Sequence, residues 1–232
     1  MSILHHAIPN DPYYNDVVLH LRGYDAQSGQ VFKDYSKYNR QINVYGNTSH
    51  STTQKKYGNS SIYFDGSGDY LTVPASSDFA FGTGGFTFEL WFYKTQNSPA
   101  QSYNRIFQLV GGDIWSGFSL VDGSTSQNEM SFWSSSSGSS FNIVNGTSLG
   151  ILDLNQWYHI AIVRNGINFN GYINSNPIYL GTSSASLYYN NTMPVICGQS
   201  GGRYITGYIE DLRITKGIAR PIAIPTQPFP NF

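Results

Sequence analysis

SIYFDGSGDYLTVPASSDFAFGTGGFTFELWFY, residues 61–93, carries the pattern that decides the fold. Two strand-like runs flank a polar connection rich in Gly and Ser. The second run alternates with a period of two, so that Phe86, Phe88, Leu90 and Phe92 point one way and Thr87, Glu89, Trp91 and Tyr93 the other. Both sets are bulky. A strand with large side chains on both sides lies inside a sheet that is covered on both faces, as in a two-sheet sandwich, and Glu89 is the one residue out of place there.

Composition points to the same class. The 232 residues are 16 % aromatic and 12 % charged, with 24 Gly and 18 Tyr, a profile of strands joined by many turns rather than of helices or disorder. All-β sandwiches of this size form single domains, and one is expected here. A net charge of −1, without any run of Lys or Arg, argues against nucleic acid or an anionic membrane as partner. The single cysteine, Cys197, excludes an internal disulfide and reads as a small core residue within PVICGQS. The start, MSILHHAIPNDPYYN, has neither the basic flank nor the apolar run of a secretory signal. No segment approaches the roughly 20 apolar residues that span a bilayer, so synthesis in a cytoplasm without a signal peptide is expected.

Outward from the central stretch, strands are expected at 16–24, with His20 as a satisfied strand histidine, and at 42–46, after a polar turn over 31–40. Residues 51–56 read as a loop. Further strands are expected at 105–112 and 117–123, and two more within 129–146 flank the polar tip SSSSGSS. QWYHIAIVRNG (156–166) and INFNGYINSNP (167–177) form a hairpin at Asn165-Gly166. Short strands are expected at 178–180, 187–190 and 194–199, then a long one at 204–215. No helix longer than about two turns is expected, since no 3.6-residue apolar period is sustained.

Sugar binding calls for exposed aromatic faces with amides or carboxylates beside them. The loop and strand-end aromatics that fit are Tyr103, Trp115, Trp133, Tyr188 and Tyr189, with Asn104, Asp113, Asn190 and Asn191 as polar neighbours. Nucleophilic catalysis finds no support, because no nucleophile-elbow motif is present and Cys197 has no basic neighbour in sequence.

FDGSGDYLTVP (64–74), FTFELWFY (86–93), LNQWYHIAIVRNG (154–166) and GYIEDLRITKGIAR (207–220), in this order, resemble the laminin-G-like branch of the concanavalin A-like lectin/glucanase superfamily. In spacing they are most similar to the version found in structural proteins of tailed bacteriophages. The resemblance implies an all-β, two-sheet antiparallel β-sandwich of jelly-roll type over 16–220, with an N-terminal arm at 1–15 and a proline-rich extension at 221–232 that folds back along the sandwich, the alternative being that it reaches out to a neighbouring subunit. It also implies a structural Ca²⁺ held by Asp34 and Asp211; the competing expectation is an Asp211–Arg213 pair with Asp34 capping a turn. The hydrolases of the superfamily carry E-x-D-x-x-E on one strand. Here Glu89, Glu129 and Glu210 have no acid two residues away, and Glu210 and Asp211, being adjacent, should point to opposite faces. The expected function is therefore a non-catalytic module on a virion surface that binds host-cell glycans. Alternatives are a capsid or tail decoration protein working through contacts with other virion proteins, as a homo-oligomer or not, and a polysaccharide hydrolase or lyase.

Overall fold

The computed structural model describes residues 10–24, 29–112, 115–199 and 202–230. Within these, strands β1 (Val17–Leu21), β2 (Asn43–Tyr45), β3 (Ser49–Ser51), β4 (Ser61–Asp65) and β5 (Tyr70–Thr72) precede the long β6 (Phe86–Lys94). Then follow β7 (Asn104–Gln108), β8 (Ser119–Asp122), β9 (Glu129–Ser134), β10 (Val144–Ile151), β11 (Trp157–Asn165) and β12 (Asn168–Ile173). The last are β13 (Asn176–Thr182), β14 (Val195–Ile196) and β15 (Thr206–Lys216). Helix among the described residues amounts to two single 3-10 turns, Tyr14–Asp16 and Ser77–Phe79.

Two antiparallel sheets result, making the expected β-sandwich. The first runs β13-β12-β11-β6-β15-β4-β3, with β1 also paired to β15, and the second runs β10-β9-β8-β7-β14-β5-β2. β4 and β5, consecutive in sequence, thus part company, β4 joining the first sheet and β5 the second. β6 lies in mid-sheet between β11 and β15 and is buried along its whole length. Its Phe86, Phe88, Leu90 and Phe92 enter the core, where Phe88 meets Phe107 of β7 at 4.9 Å and Phe118 at 5.1 Å between ring centroids. Each such ring contributes roughly 1.5–3 kcal/mol by leaving water.

Three local expectations change. Residues 187–190 are not a strand, whereas 49–51 form the short β3. The β11–β12 ladder closes on Asn165 and Asn168, so the two-residue turn is Gly166-Ile167, with Gly166 supplying the positive φ of 60°. Polar groups close both ends of the core. Lys94 of β6 reaches across to Asp122 of β8 in a fully buried ion pair. Arg164 of β11 is equally buried and donates to four carbonyls, those of Gly82, Gly166, Ser183 and Ala185.

The outer face of the first sheet is covered by the chain's own ends. Asp11 accepts from both Arg220 Nη1 (2.8 Å) and Nη2 (2.7 Å), and the Tyr57 hydroxyl donates to the Pro225 carbonyl at 2.7 Å. Phe229 lies over the Arg213 guanidinium at 3.8 Å and donates its N–H to Asp211 at 2.6 Å. Residues 1–9 of the arm lie outside those described.

Candidate functional site

β9 alternates as its sequence dictates, Met130 and Phe132 facing the core and Ser131 and Trp133 the outside of the second sheet. Trp133 belongs to a cross-strand row that reads Thr72, Val195, Gln108, Ser119, Trp133 and Asn145 across six strands. Its indole N–H donates to Ser131 Oγ at 2.8 Å, which sets the ring orientation. Gly146 lies against the ring so closely that a Cβ there would come within 2.4 Å of it. With φ at 71° as well, the position takes only glycine easily.

Three aromatics extend this ring into a ridge. Tyr103 meets Trp133 edge-on at 6.0 Å, Phe141 packs on Trp133 at 5.0 Å, and Trp115 meets Phe141 at 4.7 Å. Trp115 is 44 % exposed, Tyr103, Trp133 and Phe141 half-buried. Phe141 is positioned by the Ser-rich tip between β9 and β10, which Asn142 folds back on itself by accepting the Ser136 N–H at 2.9 Å. Asn142 and Asn145 stand exposed beside the rings. An apolar ridge with amides and hydroxyls at its margin suits a ligand that has apolar faces and hydroxyl edges.

The sequence candidates divide accordingly. Tyr103, Trp115 and Trp133 come together, although no two belong to one element. The Tyr188 ring lies against Gly138 in the Ser-rich tip, and its backbone pairs with Ser135 and Gly117, so it buttresses the loops. Tyr189 lies apart, its hydroxyl taken by the Ser76 N–H (3.2 Å) and the Thr192 carbonyl (3.1 Å), and burial raises its pKa. Asn104 and Asn190 hold local turns through Ser98 and Thr192. Asp113 lies outside the described residues. Sequence reasoning missed Phe141, whose one signal is an aromatic at the end of a flexible polar run.

The donor set around Asp34 and Asp211 does not fit a calcium ion. Asp34 accepts the His20, Ser36 and Arg40 N–H groups and the Ser36 hydroxyl, at 2.8–3.0 Å, so both its oxygens already face donors. Asp211 meets His20 Nε2 at 2.8 Å and takes the Phe229 N–H. Among the described residues, no group of three or more His, Cys, Asp and Glu side chains is placed to hold a metal ion.

The carboxylates of the first sheet correct another expectation. Glu210 stands opposite Trp91 and Arg213 opposite Glu89, leaving Asp211 and Leu212 against a single residue of β6. In this bulge Asp211 takes a φ of 54°, which breaks the alternation. Glu89, Glu210 and Asp211 therefore all lie on the outer side, beneath the tail. Asp211 pairs with His20, while Arg213 binds Glu89 at 2.8 Å and Asp11 at 3.1 Å. Burial opposes ionisation of Glu89, but Arg213 and His159 outweigh it and hold the pKa at about 2. Burial pushes Glu210 up to about 8, although its oxygens accept the Lys56 and Tyr57 N–H groups at 2.7 and 2.8 Å.

Residues 65–220 match the family model Laminin_G_3, described as the concanavalin A-like lectin/glucanases superfamily. Among solved structures the chain is similar to the binding domain of Paraclostridial mosquitocidal protein 1, with a TM-score of 0.68 and 12 % identity over 90 % of this chain and 50 % of the other. It is also similar to domain 4 of an extracellular arabinanase from Geobacillus stearothermophilus, in complex with arabinotriose, with a TM-score of 0.64 and 18 % identity over 89 % of this chain and 95 % of that one. The binding domain of botulinum neurotoxin DC, in complex with SialylT, gives a TM-score of 0.60 and 16 % identity over 89 % and 49 %. The chain thus spans about half of the two toxin domains and nearly all of the arabinanase domain. No curated protein matches it. At these identities the structural likeness concerns the fold.

Proposed function

Since the chain belongs to the concanavalin A-like lectin/glucanases superfamily, we propose that it is a non-catalytic glycan-binding module whose site is the ridge Tyr103–Trp133–Phe141–Trp115. The observation that carries this reading is the assembly of four aromatics from four separate segments on the outer face of a sheet, outside the core they would otherwise join. Similar folds bound to arabinotriose and to SialylT support the ligand class. The acids speak against hydrolysis, since Glu89 is committed to Arg213, Glu210 to two backbone N–H groups and Asp211 to His20 and Phe229, all beneath the chain's own ends. The motif order shared with tailed-phage structural proteins supports placing the module on a virion surface, with a host-cell glycan as its target. Decoration of a capsid or tail is less favoured, because the tail to residue 230 packs on its own sandwich.

A glycan array probed with the whole chain tests the site. Trp115→Ala, which removes the most exposed ring, should weaken binding to the best array glycan by about tenfold, the equivalent of ~1.4 kcal/mol, and leave the melting temperature unchanged. Undiminished binding by both Trp115→Ala and Phe141→Ala would remove the ridge from consideration.

A further inference from the structure

The polar turn over 31–40 opens beside β1. Asp34 pairs there with Leu21, at the end of that strand, and the turn together with Tyr14 walls a cavity of about 350 Å³. Small-molecule sites begin at ~300 Å³, so the space suits one sugar unit rather than a chain. Tyr14, Lys33, Tyr35, Lys37 and Asn39 line it, together with Asp34.

Cations dominate its walls. Lys33 Nζ lies over the Tyr35 ring at 4.6 Å, and the Arg22 guanidinium lies over the same ring at 4.7 Å. Lys37 donates to the Asn15 carbonyl at 2.6 Å, next to Tyr14, and an ammonium has two further protons to give. Both lysines are exposed, and neither forms an ion pair among the described residues. Asp34, the one described acid in the lining, is buried with both oxygens turned to the His20, Ser36 and Arg40 donors. Like charges gathered around a concavity repel one another, and an anion that enters relieves the repulsion.

We infer that this cavity is a site for an acidic monosaccharide unit, with its carboxylate held by Lys33 and Lys37 and its hydroxyls facing the Asn39 amide and the Tyr14 hydroxyl. A carboxylate calls for cations, and a sugar ring for polar edges beside an aromatic, here Tyr35. The site goes beyond the glycan-binding ridge. It adjoins β1 of the first sheet, whereas the ridge stands on the second, so either can fail without the other.

NMR titration of the whole chain with N-acetylneuraminic acid, glucuronic acid, glucose and inorganic phosphate decides the matter. The two acidic sugars should bind about tenfold more tightly than glucose or phosphate, and less tightly as salt is raised. Lys33→Ala with Lys37→Ala should lower their affinity by about tenfold or more, ~1.4 kcal/mol, at an unchanged melting temperature. Lys33→Arg with Lys37→Arg keeps both charges and should retain binding, as should Trp115→Ala. Equal binding of glucose, or acidic-sugar binding that survives loss of both lysines, overturns the site. Phosphate bound as tightly as the sugars makes it a pocket for free anions and overturns the saccharide. Failure of both acidic sugars to bind overturns the site and leaves the ridge to its own test, while their loss in Trp115→Ala assigns them to the ridge instead.

Discussion

Arg213 holds Glu89 on the neighbouring strand and Asp11 near the N-terminus at once, and all three side chains are buried. Removing the cation leaves Glu89 with His159 at 3.4 Å and Asp11 with Arg220, one cation short in a place water does not reach. Arg213→Ala should cost ~3–5 kcal/mol in urea unfolding, and a loss below ~1 kcal/mol would mean that the charges are not effectively buried. Glu210 has a different signature. Its carboxyl is raised from 4.5 to about 8, so over that interval the folded chain holds a proton that the unfolded chain has released. The stability this confers is full below about 4.5 and is lost as pH rises through about 8. Urea midpoints should fall across that window, and Glu210→Gln should flatten the slope; an unchanged slope would assign the pH dependence elsewhere. The consecutive Glu210 and Asp211 also show where sequence reading fails, since strict alternation separates them and a bulge reunites them.

At the scale of elements, the tail is a packed part of the sandwich. The Phe229 ring closes over Arg213, and its N–H satisfies Asp211. Phe229→Ala should cost about 2–4 kcal/mol, near the range for a buried aromatic; a neutral substitution in thermal or urea unfolding would show that the tail adds nothing to stability. The polar turn over 31–40 is likewise tied together by Asp34, which gathers the His20, Ser36 and Arg40 N–H groups itself. A chelator should therefore leave the melting temperature unchanged. A drop that added calcium reverses would reinstate Asp34 and Asp211 as ligands.

For the whole molecule, Lys94 and Asp122 tie the first sheet to the second through the core. Lys94→Met alone strands a buried carboxylate and should cost ~3–5 kcal/mol, while Lys94→Met with Asp122→Leu should recover most of that loss; equal losses in single and double variants would refute a buried pair. The strand β6, the two-sheet architecture and the core set of Phe86, Phe88, Leu90 and Phe92 were all legible in the chain, because period and bulk are local properties that burial reads directly. The candidacy of Tyr103, Trp115 and Trp133 was legible too, as aromatics at loops and strand ends. Their union was not, nor was the addition of Phe141 or the exclusion of Tyr189, since these depend on which strands become neighbours. Sequence alone determined that this chain folds as a β-sandwich and which faces it buries. Only the tertiary structure decided which surface rings share one ridge, because cross-strand register and the bulge at Asp211 arise from long-range pairing and leave no local periodic trace.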